Sequence, residues 1–353
     1  MWTSRVARRL TPAPRAGSHG GMKLLASLLA TLFVAATAQA AGAPRAADGH
    51  ADLTGVWSNG SLTQLQRGPG TPLIAPEAAA RQRAAAVANR KAADAKPSDF
   101  NDGLLDQRST AVGVNSFWGD AGDSLGFVKG TWRNSWIVEP ADGQMPLSDA
   151  GRARARAAPA MSQLLTPAGP EALAPNDRCL ISSRGSGGPG MLNNIYNTNY
   201  QIVQTPGSVA IVVEMIHDAR IVPVFAGRAA AQAGHKPAAL RPWLGDSVGW
   251  WEGDTLVIET LNVPEAQGTF GPIFLSAKGR VTERLTRASA RQILYEFSVE
   301  DPVYYTRPWR AEMSLNARKD QIYEYACHEG NYAMRGILGG ARAREAEAAT
   351  TAQ

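Results

Sequence analysis

Short apolar runs separated by turn residues dominate the second half of the chain. The runs are rich in β-branched and aromatic residues, and most alternate apolar with polar positions, which is typical of strands with one buried face. Together with a first run at Gly55–Trp57 they predict about nine strands. The other eight runs are Tyr200–Gln204, Val209–Val224, Ser247–Trp251, Thr255–Leu261, Arg280–Leu285, Gln292–Val299, Trp309–Leu315 and Gln321–Cys327.

These strands follow one another with tight turns and without helical crossovers. Gly253 can supply the positive φ of a hairpin turn after Trp251, and a second hairpin turn is expected at Asn316–Asp320. Because an open sheet of this size would expose two edges, the pattern favours a mainly β, antiparallel up-and-down barrel of about eight to ten strands. A barrel of that size leaves room for one small ligand.

The first half of the chain predicts two helices and a further strand. The Ala-rich segment Pro76–Lys96 begins with Pro, which suits the first helical position, and stops before Pro97. A short helix is expected at Asp149–Ala157, with Ser148 as its N-cap. Between them, Thr131–Val138 is expected to form a strand that ends in a turn at Pro140–Gly143.

A leader precedes the predicted domain. Residues Met22–Ala40 combine Lys23, an apolar run and an Ala-Gln-Ala cleavage site, and so have the pattern of a secretory signal peptide. The residues before Met22 are either an extended basic region or the result of a start placed too early. We expect a flexible tail at 41–52, one barrel domain at 53–340 with helical and loop insertions, and a disordered tail at 341–353. The expected location is periplasmic or secreted.

Charge changes the list of possible partners. The 353 residues carry 36 Lys and Arg against 31 Asp and Glu, for a formal net charge of +5. Five of those basic residues and none of the acidic ones lie in residues 1–40, which leaves 31 of each in the remainder. A neutral mature chain gives no support for nucleic acid as a partner. No run after the leader approaches the roughly 20 apolar residues of a transmembrane helix. The sequence does not indicate the oligomeric state.

Several motifs resemble known proteins. Gly55-Val56-Trp57 resembles the Gly-x-Trp start of lipocalin-like (calycin) barrels, in which the Trp closes the bottom of the barrel. The stretches Trp251-Glu252-Gly253-Asp254-Thr255-Leu256-Val257 and Tyr323-Glu324-Tyr325-Ala326-Cys327-His328-Glu329-Gly330-Asn331-Tyr332 are similar to those of a large, mostly uncharacterised family of exported β-rich bacterial proteins. The resemblance spans about residues 50–340. It implies an exported β protein and no particular activity.

The charged residues that interrupt the apolar segment Val209–Val224 are the first candidates for a catalytic or ligand-binding role. In a single extended strand, Glu214, Asp218 and Arg220 would share one face, while His217 would lie on the other. If the charged face lined the barrel, Arg220 could hold a carboxylate or an anionic group, and Glu214 or Asp218 could act as a base. The alternative is an outward, solvated face with a surface ion pair.

The end of the last predicted strand supplies a second group. His328 and Glu329 precede Gly330, which permits a sharp turn, and strand ends are common ligand positions. A His from one strand and a carboxylate from another could transfer protons without a cofactor. We therefore take five residues as catalytic candidates: His217, Asp218, Arg220, His328 and Glu329. Alternatively, these polar groups tie down the C-terminal segment.

Aromatic residues form the third group. A cavity lined by Trp and Tyr side chains would suit an aromatic, terpenoid or sugar-like ligand, and ordinary core packing is the alternative. The candidate ligand-binding residues are Glu214, Trp243, Trp250, Trp251, Tyr304, Tyr305 and Tyr332.

The cysteines and histidines are few. Cys179 and Cys327 are the only two cysteines, and in an exported protein they are either a disulfide or small core thiols. The histidines have no metal-ligand spacing, and no glycine-rich nucleotide-binding motif occurs, so we expect neither a metal nor another cofactor.

The sequence thus favours an exported barrel protein that binds a small apolar or aromatic molecule. The leading hypothesis is cofactor-independent acid–base chemistry, as in a lyase, isomerase or hydrolase. The alternative is a ligand-binding or carrier protein without turnover.

Overall fold

Thirteen strands occur in the computed structural model, which describes residues 43–67, 72–94, 122–157, 167–182 and 185–351. The predicted signal peptide lies outside the described residues. The strands are β1 (Gly55–Ser58), β2 (Leu73–Ile74), β3 (Phe127–Val128), β4 (Thr131–Arg133), β5 (Ile137–Glu139), β6 (Asn199–Thr205), β7 (Ser208–Val213), β8 (Ala219–Phe225), β9 (Asp246–Glu252), β10 (Thr255–Leu261), β11 (Arg280–Ser289), β12 (Gln292–Glu300) and β13 (Trp309–Ala317).

Nine of these strands close into a barrel, as the sequence predicts. Strand β1 pairs with both β6 and β13, so that Trp57 lies opposite Tyr200 on one side and Ala317 on the other. Strands β6 to β13 follow in chain order, and β5 pairs with β13 outside the ring. Strands β2, β4 and β3 form a separate small sheet.

One pair in the barrel is parallel. Val224 of β8 lies opposite Gly249 of β9, and the connection between these strands carries a short helix. Strand direction must return to itself around a closed ring, so the number of antiparallel pairs must be even. With nine strands, at least one pair must therefore be parallel.

Four α-helices lie in the described part of the chain: α1 (Pro76–Asp94), α2 (Asp149–Arg156), α3 (Arg228–Ala233) and α4 (Tyr332–Thr351). The first two match the predicted helices, and the Ser148 hydroxyl accepts a 3.0 Å hydrogen bond from the Gly151 amide as an N-cap. Helix α4 continues to Thr351, so residues 341–351 are helical where we expected a disordered tail. Its Ala, Arg and Glu residues are strong helix formers even without an apolar stripe.

The segment Val209–Val224 is a hairpin, which corrects the prediction of one strand. Ile216 and His217 have φ values of 59° and 46°, and they reverse the chain between β7 and β8. The reversal changes which side chains share a face. Arg220 lies opposite Ile211 and is buried inside the barrel, whereas Ile221 is 63% exposed on the outside.

The predicted last strand, Gln321–Cys327, has no strand structure. The free side of β13 already pairs with β1, so no edge remains for another barrel strand, and no hairpin forms at Asn316–Asp320. Residues 321–331 instead contact the β7–β8 turn, where Tyr323 meets Glu214 and Tyr325 meets His217, and we call them the strap. Similarly, Thr131–Val138 divides into β4 and β5.

Protein groups fill the barrel interior. Residues 185–194, which we call the plug, enter the barrel and place Met191 in the core, where it is fully buried. The Met191 amide donates to the Tyr295 hydroxyl over 2.9 Å, and the Tyr200 hydroxyl donates to the Ser186 carbonyl over 3.0 Å. The space that the sequence assigns to a ligand is thus occupied by the chain itself.

Residues 43–54, directly before β1, are also ordered. Residues 43–52, expected to be a flexible tail, form a turn with a bridge between Arg45 and Ala51. Arg45 pairs with Asp254, and the His50 ring stacks on Trp251 with centroids 4.5 Å apart. Among the described helices, none is both long and apolar enough to cross a membrane.

Candidate functional site

An open groove of about 990 Å³ lies beside the barrel end where β6 begins and β7 ends. Most of its lining comes from four separate parts of the chain: the loop around residue 177, the segment before β6, the strap and helix α4. Asn199 at the start of β6, Glu214 after β7 and Arg318 after β13 complete it. The lining residues that matter below are Asn176, Asp177, Ile195, Tyr196, Asn199, Glu214, Arg318, Tyr323, Glu324, Tyr325, Cys327, Met334 and Ile337.

Glu214 provides a buried carboxylate in this groove, with only 3% of the residue exposed. It follows β7 directly. Its Oε2 accepts a 2.7 Å hydrogen bond from Asn199 Nδ2, and its Oε1 accepts a 3.1 Å bond from the Tyr323 amide. Both donors are neutral, and none of the ion pairs between described residues includes Glu214. The groove therefore contains a fixed acceptor group without a cationic neighbour bonded to it.

Aromatic and aliphatic side chains line the rest of the groove. Tyr323 is 75% exposed and Ile195 is 61% exposed, which leaves apolar surface open to solvent. Burial raises the pKa of Tyr325, with a further contribution from Tyr196, so its phenol is neutral at ordinary pH. Apolar surface beside a small number of fixed polar groups is typical of small-molecule sites.

Several attachments hold the strap in place, including a 3.0 Å hydrogen bond from Asn331 Nδ2 to the Asp177 carbonyl. The Tyr323 amide donates to Glu214, and His217 Nδ1 lies 3.0 Å from the Tyr325 carbonyl oxygen. Cys327 forms a disulfide with Cys179, and their Cα atoms are 5.8 Å apart. The disulfide that the sequence left open is therefore present, and it joins two walls of the groove.

The catalytic candidates from the sequence do not meet. His217 is exposed and contacts the strap, and His328 and Glu329 are exposed in the turn before α4. Asp218 is partly buried and accepts a 2.6 Å hydrogen bond from the Ser182 amide, and burial raises its pKa. Arg220 is inside the barrel. The five residues form no His–carboxylate hydrogen bond with one another.

Arg220 has a structural partner that the sequence did not reveal. Its guanidinium forms a two-pronged ion pair with Glu283, with Nη1 3.0 Å from Oε1, and both side chains are almost fully buried. The Tyr295 hydroxyl donates to Glu283, and the Gly190 amide of the plug also points to this carboxylate. This network binds the plug to the barrel wall.

Of the predicted ligand-binding residues, Glu214 lines the groove and the others lie elsewhere. Trp250 faces outward and packs under α3 against Val248 and Val257. Tyr304 and Tyr305 are buried, and the Tyr305 ring packs edge-on to Trp309. The remaining three residues lie apart from one another. Trp251 stacks on His50, and Trp243 precedes β9. Tyr332 is at the start of α4 and is 81% exposed.

The structure also contains a His–carboxylate cluster that the sequence analysis missed. His235 lies between Asp246 and Glu259, with Nδ1 2.8 Å from Asp246 Oδ2 and Nε2 3.3 Å from Glu259 Oε1. All three side chains are at least 90% buried beside α3. Glu259 interrupts the apolar strand β10, and this signal could have drawn attention to it. With both ring nitrogens occupied, the cluster anchors the α3 connection to the sheet.

Within the described ranges, no group of three or more His, Cys, Asp or Glu side chains could hold a metal ion. The fold and the groove define a closed nine-stranded β-barrel protein with a filled interior and a ligand-sized groove outside one end. Comparison of the chain with protein-family models, with curated proteins and with solved structures finds no match. Kinship with the exported bacterial family stays a prediction.

Proposed function

We propose that this protein is an exported binding protein for a small apolar or aromatic molecule, and that the ligand occupies the groove between the strap and the barrel end. The single observation that carries the proposal is the groove itself. Its volume of about 990 Å³ lies at the upper end of the range typical of small-molecule sites, and its lining is mixed apolar and polar.

The filled barrel favours this location over the interior. A carrier that holds its ligand inside a barrel needs an empty lumen, whereas here Met191 and the Arg220–Glu283 pair occupy it. Access to the interior would require removal of the plug. The groove needs no such rearrangement, because Ile195 and Tyr323 are already exposed.

Two features support export. The segment Met22–Ala40 has the pattern of a signal peptide. The Cys179–Cys327 disulfide suits an oxidising compartment such as the periplasm or the extracellular space.

The test uses three phenyl probes of similar size: 2-phenylethanol, 2-phenylethylamine and 3-phenylpropionate. We expect saturation-transfer NMR to detect binding of at least one of them through its ring protons. Ile195→Ser, in the groove, should weaken that binding about three- to tenfold, because it removes apolar contact area. Ile221→Ser is the matched control, since Ile221 is 63% exposed against 61% for Ile195 and lies outside the groove.

Two results would contradict the proposal. One is the absence of a ring-proton signal for all three probes. The other is binding that Ile195→Ser and Ile221→Ser weaken to the same extent, since that would place the probe elsewhere.

Acid–base turnover is the second candidate, and the buried Glu214 carboxylate favours it. A carboxylate held by neutral donors beside an apolar wall is suited to act as a general base. Acetophenone in D2O tests this candidate, because a base in the groove would exchange its methyl protons for deuterium. We expect faster exchange with the wild-type protein than with Glu214→Gln if the protein is a lyase or isomerase, and equal rates would contradict turnover by Glu214.

A further inference from the structure

Negative charge predominates in the groove. Among the described residues that line it are Asp177, Glu214 and Glu324, against a single guanidinium from Arg318. The Arg318 Nη2 atom is 3.1 Å from Asp320 Oδ2, so part of its charge is already balanced by a neighbour. A ligand that enters the groove therefore meets an excess of carboxylates, and a cationic group would be attracted.

The polar floor of the groove presents acceptors. The Asn199 amide is oriented by its neighbour, because Nδ2 donates to the Glu214 carboxylate and its oxygen must point the other way. That oxygen, Oδ1, is buried and accepts no hydrogen bond from the described residues. Glu214 Oε1 and Oε2 already accept hydrogen bonds from the Tyr323 amide and Asn199, and no cation among the described residues forms an ion pair with this carboxylate. These buried acceptors add negative potential beneath the groove, whereas the carboxylates of Asp177 and Glu324 are exposed in it and can reach a ligand directly.

The walls suit a cation with an apolar body. Tyr196, Tyr323 and Tyr325 contribute aromatic rings, whose faces attract ammonium groups. Ile195, Met334 and Ile337 provide aliphatic surface. Carboxylates and aromatic rings in one groove, with aliphatic contacts at its side, are the combination that recognises an organic cation.

We propose that the groove selects small organic cations, namely protonated amines attached to an aromatic or apolar body. The ammonium group is directed to the exposed carboxylates of Asp177 and Glu324, and the apolar body lies against Ile195 and Met334. This inference rests on the proposed binding function and specifies the chemical class of its ligand.

The three phenyl probes have similar shapes and differ in charge at neutral pH. 2-Phenylethylamine is positive, 2-phenylethanol is neutral and 3-phenylpropionate is negative, so a comparison of their affinities tests the effect of charge. Isothermal titration calorimetry of the full-length mature protein should rank 2-phenylethylamine above 2-phenylethanol, and 2-phenylethanol above 3-phenylpropionate. A charge-assisted hydrogen bond in a partly buried site corresponds to an advantage of about tenfold for the amine over the alcohol. Raising NaCl from 50 to 500 mM should reduce the amine's advantage, because salt screens exposed charges.

Variants of the exposed carboxylates test whether these groups cause the higher affinity for the amine. They leave the hydrogen bond between Glu214 and the strap in place. Asp177→Asn and Glu324→Gln should each bring the affinity for the amine closer to that for the alcohol. Glu77→Gln removes an exposed carboxylate of α1 that does not line the groove, and it should leave all three affinities unchanged.

The possible results distinguish a failure of this inference from a failure of the proposed function on which it rests. If Ile195→Ser weakens all three probes alike and the amine has no advantage, binding in the groove stands and selection of cations is overturned. Tighter binding of 3-phenylpropionate than of the amine would overturn it as well. If none of the probes binds, or if Ile195→Ser changes nothing, the proposed function fails and the inference fails with it.

Discussion

A single glycine allows the plug to contact the barrel wall. Gly188 has a φ of +88°, and a Cβ added to it would lie 2.2 Å from Arg220 Nη1. An arginine at the surface could move aside, but here the guanidinium is buried and bonded to Glu283 through both of its terminal nitrogens. The plug and the ion pair therefore depend on each other, and a side chain at position 188 would separate them.

Gly188→Ala should lower the free energy of unfolding by about 2 to 4 kcal/mol, since it combines backbone strain with disruption of a buried ion pair. Gly130→Ala is the matched control, because Gly130 has a φ of +77° and nothing within 4 Å of the added Cβ. It should cost about 1 to 2 kcal/mol from the backbone alone. Urea denaturation measures both, and equal losses would show that the contact with Arg220 is unimportant.

Asp218 should make stability depend on pH. Burial raises its pKa above the ordinary value of about 3.9, so the folded state holds this proton more tightly than the unfolded state. Its contribution to stability is complete below the ordinary pKa and is lost as the pH rises through the folded value. Relative to the wild-type protein, Asp218→Asn should thus become more stable as the pH rises from about 4 to 7. A stability difference that is constant with pH would contradict the raised pKa of Asp218.

At the scale of elements, the strap forms one wall of the groove without belonging to the sheet. It is attached to the β7–β8 turn by Glu214 and His217, and to the loop that precedes the plug by the Cys179–Cys327 disulfide. The disulfide closes a long stretch of chain, with a sequence separation of 148 residues. Loss of the disulfide should increase the mobility of the strap while the barrel stays folded.

The double variant Cys179→Ser and Cys327→Ser should lower the free energy of unfolding by about 5 kcal/mol in the chain-entropy model. Hydrogen exchange should show faster exchange of the Tyr323 amide, which the strap presents to Glu214, and unchanged exchange in β11 and β12. If the strap amides exchange as in the wild-type protein, the remaining contacts are sufficient to hold it.

The strands that sequence reasoning located are those whose burial alternates. In β12 every second residue from Ile293 to Val299 is buried, and the pattern is visible in the sequence. The β7–β8 turn was missed because Ile216 and His217 adopt positive φ without a glycine or asparagine to signal it. The strap was mistaken for a strand because its apolar residues alternate, although closure of the barrel by β1 leaves it no partner.

The groove could not be predicted for a related reason. Its residues come from segments far apart in the chain, and Asp177, Tyr196, Glu214, Tyr323 and Met334 become neighbours only through the hairpin, the strap and α4. Glu214 alone carried a local signal, as a charge inside an apolar run. That signal pointed to a residue that does line the groove, but the sequence analysis placed it within one continuous strand and the structure places it directly after the end of β7.

For the whole molecule, the closed and filled barrel and the open groove are separate regions. The interior holds the plug and the Arg220–Glu283 network, which fix the fold. The groove outside one end carries the exposed apolar surface and the carboxylates. The central claim is therefore that ligands bind in the groove and leave the barrel interior unchanged.

Methionine methyl groups report on both places, since Met334 lines the groove whereas Met191 and Met313 are fully buried in the barrel. The most direct test is a 13C-methyl-methionine NMR titration with 2-phenylethylamine, with the Met334 signal assigned from Met334→Leu. The account predicts that the Met334 signal shifts during the titration while those of Met191 and Met313 stay in place. Shifts of Met191 and Met313 with an unmoved Met334 would place the ligand inside the barrel and contradict the account.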